Sequence, residues 1–96
     1  MGHKWTYDED LACARAYVAF ILDKDPRKSL RVMLYNLSRS LPQITQGSIK
    51  MKMQNFKAIS NDNNFDDGID LCPLSQYSFQ AQCAYRKAMK EQGLNK

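Results

Sequence analysis

The chain contains 96 residues, 44% of them hydrophobic, which suits one small domain whose modest core needs neither disulfides nor a metal ion. Its formal net charge of +4 and its pI of about 9.1 favour polyanionic partners. A signal peptide is not indicated, because Lys4 and the acidic residues 8–10 interrupt the amino terminus, and no apolar stretch is long enough to span a bilayer. We therefore expect a cytoplasmic protein that does not use a membrane as a partner.

Three cysteines, Cys13, Cys72 and Cys83, have no close-pair spacing, and their odd number argues against a fully paired disulfide framework. Cys13 and Cys83 lie in helical patterns, where we expect them to be small core side chains. The pattern is typical of reduced cysteines in the cytosol.

A first helix is predicted over residues 7–22. Thr6 and Glu9 have the spacing of a capping box, and the acidic residues 8–10 suit the positive end of the helix dipole. Apolar residues then recur at helical spacing, at Leu11, Ala14, Val18 and either Ile21 or Leu22. Trp5, just before the cap, is expected to fold back onto the core.

A second helix is predicted over residues 27–40. Asp25 followed by Pro26 is a start signal, because aspartate caps a helix well and proline is tolerated at its first position. The core stripe consists of Leu30, Met33, Leu34 and Leu37. Pro42 disfavours helical geometry in the residue before it and so ends this helix.

A third helix is predicted over residues 49–59, after a polar turn in which Ile44 is the expected buried anchor. Gly47 loosens the approach to this helix, and the Ser48 hydroxyl is the predicted N-cap. At 100° per residue, three apolar residues share the face that we assign to the core, namely Ile49, Met53 and Phe56. Three polar residues stack on another face as an outward row, namely Lys50, Gln54 and Lys57.

The residues after the third helix predict a hydrated loop and then a fourth helix over residues 76–91. Residues 60–68 are rich in turn formers, and an EF-hand is excluded there because Phe65 and Leu74 would take positions that need oxygen ligands. Ser75 is the predicted cap of the fourth helix and Gly93 its stop. Its apolar face comprises Tyr77, Ala81, Ala84, Tyr85 and Ala88.

Charge is segregated along the chain. Residues 27–59 include seven basic residues and no Asp or Glu, whereas acidic residues lie on both sides of this stretch. Such segregation predicts a positive face formed by the second and third helices. The alternative is that the lysines are an ordinary solvated surface.

Catalytic groups are scarce. The only histidine is His3, near the amino terminus, and the carboxylate clusters are better explained by helix capping and loop hydration than by acid–base work. Glycine-rich phosphate loops, metal-ligand clusters and nucleophile elbows are not found in the sequence. We therefore predict no enzymatic activity, no cofactor and no metal for this chain.

The order of three motifs resembles the amino-terminal region of bacterial HNH-type restriction endonucleases. The opening Trp-Thr-x-x-Glu begins at Trp5, and the second helix ends in Leu-Ser-Arg-Ser-Leu-Pro. The third helix carries Met-Lys-Met-Gln-Asn-Phe from Met51, similar to Met-Lys-Leu-x-Asn-Phe in that family, and the segment from Leu74 looks like its Gly-Leu-Ser-x-x-Ser. Pro73 stands where the family has glycine, and no HNH nuclease motif is included.

The same opening and third helix also look like Myb/SANT helix-turn-helix modules, whose third helix inserts in the major groove. The resemblance implies an all-α, compact three-helix helix-turn-helix core with a C-terminal fourth helix. It also implies a bacterial or phage DNA-recognition domain, either part of a longer nuclease or free-standing.

Candidate DNA contacts follow from this expectation. Lys50, Gln54 and Lys57 form the outward row, and Lys52 and Asn55 flank it. Amide side chains can pair with adenine, and lysines can contact guanine or phosphate. Near the helix start a phosphate could be held by Thr45, Gln46 and Ser48, and further phosphate contacts are expected from Arg27, Lys28, Arg31 and Arg39.

Two alternatives stay open from the sequence. Asn55 could instead point inward and hold the turn before the third helix, and Met51 and Met53 are better assigned to the core than to a contact surface. The whole basic face could serve a SANT-like protein-interaction module that binds an acidic partner or a second copy, because fold alone does not determine function.

Overall fold

Four α-helices make up the fold in the computed structural model, which describes residues 4–65 and 67–94. They are α1 (Tyr7–Leu22), α2 (Leu30–Ser40), α3 (Gln46–Asp62) and α4 (Phe79–Glu91), and no β-strand occurs among the described residues. The predicted all-α class and the number of helices are confirmed.

The start of α1 is the capping box that the sequence predicts. The Thr6 hydroxyl accepts a hydrogen bond from the Glu9 amide (3.2 Å), and the Thr6 amide donates to Glu9 Oε1 (2.9 Å). Both bounds of α1 agree with the prediction, because the signals that set them lie within a few residues of one another. Trp5 packs half-buried against the core, as expected.

The prediction that α2 begins at residue 27 is wrong by three residues. Asp25 caps a tight turn instead, since its Oδ1 accepts from the Arg27 amide at 2.9 Å and its carbonyl accepts from the Lys28 amide at 3.1 Å. Ser29 is the actual N-cap, with its hydroxyl 3.5 Å from the Val32 amide. Aspartate can stabilise either a turn or a helix N-terminus. Here Asp25 stabilises the turn, and the helix begins after it.

The predicted bounds of α3 are too narrow at both ends. Thr45, rather than Ser48, caps the helix, and its hydroxyl accepts from the Ser48 amide at 3.1 Å. At the other end Ser60 is fully buried and hydrogen-bonded to the Tyr85 hydroxyl, so the helix continues through a polar stretch that the sequence assigns to a loop. It ends in a Schellman motif, with Asn64 at φ 57°.

The prediction that Ser75 caps α4 is also wrong by three residues, because the Ser78 hydroxyl accepts from the Ala81 amide at 3.0 Å. The C-terminus is as predicted. Gly93 adopts φ 71°, the Gly93 amide bonds the Lys90 carbonyl (3.0 Å) and the Leu94 amide bonds the Met89 carbonyl (2.9 Å).

One continuous apolar core is shared by all four helices. Its centre is an aromatic cluster of Tyr17 from α1, Phe56 from α3 and Tyr85 from α4, with ring centroids 5.7 to 6.2 Å apart. The helix α1 packs most extensively on α4, whereas α2 packs only on α3 and α1 through Leu34 and Leu37. The outer side of α2 and the start of α3 therefore remain exposed.

Other core expectations agree with the structure in part. Cys13, Ile44 and Met53 are buried as predicted, and Cys83 is half-buried. Met51, which the sequence assigned to the core, is 55% exposed. None of the helices described here has the length and apolar content needed to cross a membrane.

Candidate nucleic-acid interface

The outward row predicted on α3 exists only over its first half. Lys50 is exposed and Gln54 is half-buried, but the Lys57 side chain is only 15% exposed. Lys57 Nζ lies 2.7 Å from Asp67 Oδ1, in the segment between α3 and α4. The placement of Lys57 in an outward row is therefore wrong, because a carboxylate ten residues later folds over it.

Asp67 is the centre of a buried polar cluster. It accepts hydrogen bonds from Lys57, from the Tyr17 hydroxyl (2.5 Å) and from the Ile69 amide (2.9 Å). Burial opposes ionisation of Asp67, but these three donors outweigh it and hold the pKa of its carboxyl below the usual value. The cluster ties the segment after α3 to α1 and to α3 itself.

Lys52 is likewise occupied inside the protein. Its side chain is 9% exposed, and its Nζ lies 2.9 Å from Asp10 Oδ1 and 4.6 Å from the centre of the Trp5 ring. Asp10 is fully buried and its other oxygen accepts from Gln80 Nε2 at 2.8 Å. Lys52 therefore joins α3 to α1, and its ammonium does not reach the surface.

Asn55 points inward, which is the alternative that the sequence left open, but it holds a different segment from the one expected. Its Nδ2 donates to the Leu74 carbonyl at 2.9 Å and to the Gln76 carbonyl at 3.2 Å. It thus fixes the chain ahead of α4 rather than the turn before α3.

The first turn of α3 is exposed and carries donors. Gln46 is exposed, and Ser48 is half-buried with its hydroxyl bonded to Thr45 Oγ1 at 2.9 Å. The amide of Ile49 is the first in α3 to bond a backbone carbonyl, that of Thr45. The amides of Gln46 and Gly47 have no acceptor within the described part of the chain, as is usual at a helix start.

The basic side chains of the acid-free stretch 27–59 differ in whether they have partners within the protein. Arg27 pairs with Asp25 on the surface, and Lys28 Nζ bonds the Phe20 and Asp23 carbonyls at 2.9 and 3.1 Å. Arg31, Arg39 and Lys50 are exposed and have no acidic or carbonyl partner among residues 4–65 and 67–94. The Arg39 guanidinium lies 5.9 Å from the Tyr35 ring centre.

Sequence reasoning missed two features of this surface. Two apolar side chains of α2, Val32 and Tyr35, are 55% and 54% exposed beside the unpaired arginines. The segment around Leu74 lies against the middle of α3, since the Leu74 amide donates to the Gln54 carbonyl at 3.0 Å. In the sequence, the residue that could have indicated this contact is Asn55, because its side-chain amide can donate hydrogen bonds to backbone carbonyls far along the chain.

Within the described residues, no three His, Cys, Asp or Glu side chains come together as a group that could hold a metal ion. Comparison of the chain with protein-family models, curated proteins and solved structures found no match.

Proposed function

We propose that this chain binds duplex DNA, with α2 and α3 acting as a helix-turn-helix and the first half of α3 facing the major groove. The observation that carries the proposal is a strip of three polar residues on α3, of which Gln46 and Lys50 are exposed and Gln54 is half-buried. These three residues are spaced by four along the helix and so lie on one side of it. In helix-turn-helix proteins the N-terminal residues of the recognition helix contact base edges.

The distribution of positive charge also supports placing this side of α2 and α3 against the DNA. Arg31 and Arg39 lie on one side of α2, eight residues apart, and with Lys50 they are the cations of the acid-free stretch that no internal partner occupies. Only residues 41–45 separate α2 from α3, and buried Ile44 fixes this connection to the core. The arginines would bind phosphates while the strip on α3 reads bases.

The proposal is narrower than the resemblance to the amino-terminal region of HNH restriction endonucleases implies. Lys52, Lys57 and Asn55 have internal partners, so their proposed role is to build the surface rather than to touch DNA. Base contacts are assigned to Gln46, Lys50 and Gln54, and phosphate contacts to the helix start and to the arginines of α2.

The test is fluorescence anisotropy with a pool of mixed 30-base-pair duplexes at several salt concentrations. Replacement of both Arg39 and Lys50 by alanine should weaken binding and flatten the salt dependence by about two units, because two cations would no longer neutralise phosphate charge and release counterions. Unchanged affinity and slope would rule out this surface.

Lys90→Ala is the control for loss of a single positive charge away from the strip. Lys90 is an exposed cation near the end of α4, and α4 reaches the end of α3 through the contact of Tyr85 with Ser60. It therefore lies at the opposite end of α3 from Lys50. The control variant should bind like the wild type, which would separate a local effect from a general loss of positive charge.

A second candidate function is protein binding through α2, favoured by the exposure of Val32 and Tyr35 between Arg31 and Arg39. Exposed apolar groups flanked by cations suit an acidic partner or self-association. Sedimentation of the chain over a range of concentrations, with Tyr35→Ser as the comparison, tests self-association. A mass independent of concentration, together with DNA binding unaffected by Tyr35→Ser, would favour the first proposal.

A further inference from the structure

The segment that precedes α4 returns to the middle of α3 and is attached there by its backbone. The Leu74 amide donates to the Gln54 carbonyl (3.0 Å), and Asn55 Nδ2 donates to the carbonyls of Leu74 (2.9 Å) and Gln76 (3.2 Å). Asn55 is 8% exposed, so these bonds are shielded from water. Residues 74–76 are thus held against the middle of α3, at Gln54 and Asn55.

Side chains of this segment remain exposed because the backbone makes the attachment. Leu74 is half-buried, whereas Ser75 and Gln76 are exposed. Gln76 is exposed, and its backbone carbonyl lies 3.2 Å from Asn55 Nδ2, beside Gln54 in the chain. Gln54 in turn is one helical turn from Lys50 on the strip described above.

The side chains gathered here have a distinctive chemistry. Gln46, Gln54 and Gln76 end in carboxamides, and Lys50 is the one charged group on the strip. A carboxamide carries a donor and an acceptor side by side, which matches N6 and N7 of adenine in the major groove, whereas guanine is contacted most often by arginine or lysine. Amides therefore outnumber the group that would favour guanine.

We propose that residues 74–76 form a second base-reading element beside α3, and that Gln54 and Gln76 together select duplex sites containing adenine. The inference rests on the proposed function and adds to it a preference and a residue outside the helix-turn-helix. Asn55 is a positioning residue here, because it holds the segment in place and does not touch the DNA.

Binding-site selection from a random duplex pool tests the inference, with wild type, Gln76→Ala, Gln54→Ala and the control Lys90→Ala. The wild type and the control should enrich adenine at the same positions. Each glutamine variant should lose part of this enrichment and bind the selected site roughly 5- to 150-fold more weakly, as expected for one paired amide contact. The salt dependence should not change, because no charge is removed.

Asn55→Ala provides a second measurement. If Asn55 positions the reading segment, this variant should lose the same adenine preference as Gln76→Ala while it keeps the wild-type salt dependence. A role limited to stability would lower the unfolding midpoint without changing which bases are selected. Circular dichroism at the assay temperature establishes whether each variant is folded. If Asn55→Ala is unfolded, the test relies on Gln76→Ala, because Gln76 is exposed and its replacement should not affect folding.

The outcomes separate the two proposals. A selected site without adenine, or full affinity and preference in Gln76→Ala, overturns this inference while binding that depends on Arg39 and Lys50 still supports the proposed function. Failure of the wild type to bind any duplex at low salt overturns the proposed function itself.

Discussion

Lys52, which the sequence assigns to the DNA-binding face of α3, forms a buried ion pair with Asp10 in the structure. On a helical wheel Lys52 flanks the polar face of α3, yet its ammonium is buried against a carboxylate from α1 and the Trp5 ring. Asp10 Oδ1 has no hydrogen-bond donor within the described residues, and its close polar contact is the ion pair with Lys52. The pair fixes α3 to α1 beneath the exposed strip.

We expect Lys52→Met to destabilise the fold by about 3–5 kcal/mol, because it leaves the buried carboxylate of Asp10 without its counter-charge. The double replacement of Asp10 by Asn and Lys52 by Met should recover much of this loss. Urea unfolding followed by circular dichroism measures both. A loss below about 1 kcal/mol in the single variant would mean that the pair is hydrated in solution, as surface pairs are.

Asp67 makes the stability depend on acidic pH. Its folded-state pKa is depressed, so its contribution is complete above the unfolded value of about 3.9 and is lost as the pH falls through the lower folded value. We expect the free energy of unfolding of the wild type to fall below about pH 4 and that of Asp67→Asn to change less over the same interval.

Urea titrations at successive pH values measure this dependence, and Asp25→Asn is the matched control. The pKa of Asp25 is also lowered, by its hydrogen bonds to Arg27, but that pair is on the surface and is screened by salt. A pH dependence in Asp67→Asn as steep as that of the wild type would contradict the role given to this carboxyl.

Helix bounds were predictable where the signals are local and unambiguous. The capping box of α1 and the glycine stop of α4 involve residues only a few positions apart, and both are found as expected. The starts of α2, α3 and α4 were each misplaced by three residues, because each start has two residues that can cap a helix. Which of the two residues becomes the N-cap depends on how the following turn packs against the core. The spacing of residues along the chain does not contain that information.

Thr45 and Ser48 allow a direct test of the start of α3. Thr45→Ala should cost about 1 kcal/mol, because its hydroxyl accepts from the Ser48 amide, whereas Ser48→Ala should cost less. Thermal or urea unfolding of the two variants gives the comparison. The reverse ranking would place the start of α3 at the position that the sequence suggests and would shorten the exposed strip by one turn.

At the scale of the molecule, the acid-free stretch predicts a broad basic face on α2 and α3. The structure leaves fewer of its cations available to a partner. Lys52 and Lys57 meet carboxylates 42 and ten residues away, and Lys28 binds the end of α1. Such pairings depend on how helices pack, so composition alone overstates the charge available to a partner. Of the outward row predicted on α3, Lys50 and Gln54 belong to the strip, because helical periodicity alone determines that side of the helix.

The remaining charge determines how strongly salt should weaken DNA binding. Three unpaired cations, Arg31, Arg39 and Lys50, would each displace about 0.9 counterion from duplex DNA, so the logarithm of the association constant should fall with a slope of about −2.7 against the logarithm of salt concentration. Anisotropy titrations between about 50 and 200 mM salt cover the useful range. A slope steeper than about −5 would require cations outside α2 and α3, and one candidate group is Arg86, Lys87 and Lys90, which are exposed on α4. In that case α4 would face the DNA and the strip on α3 would not be the reading surface.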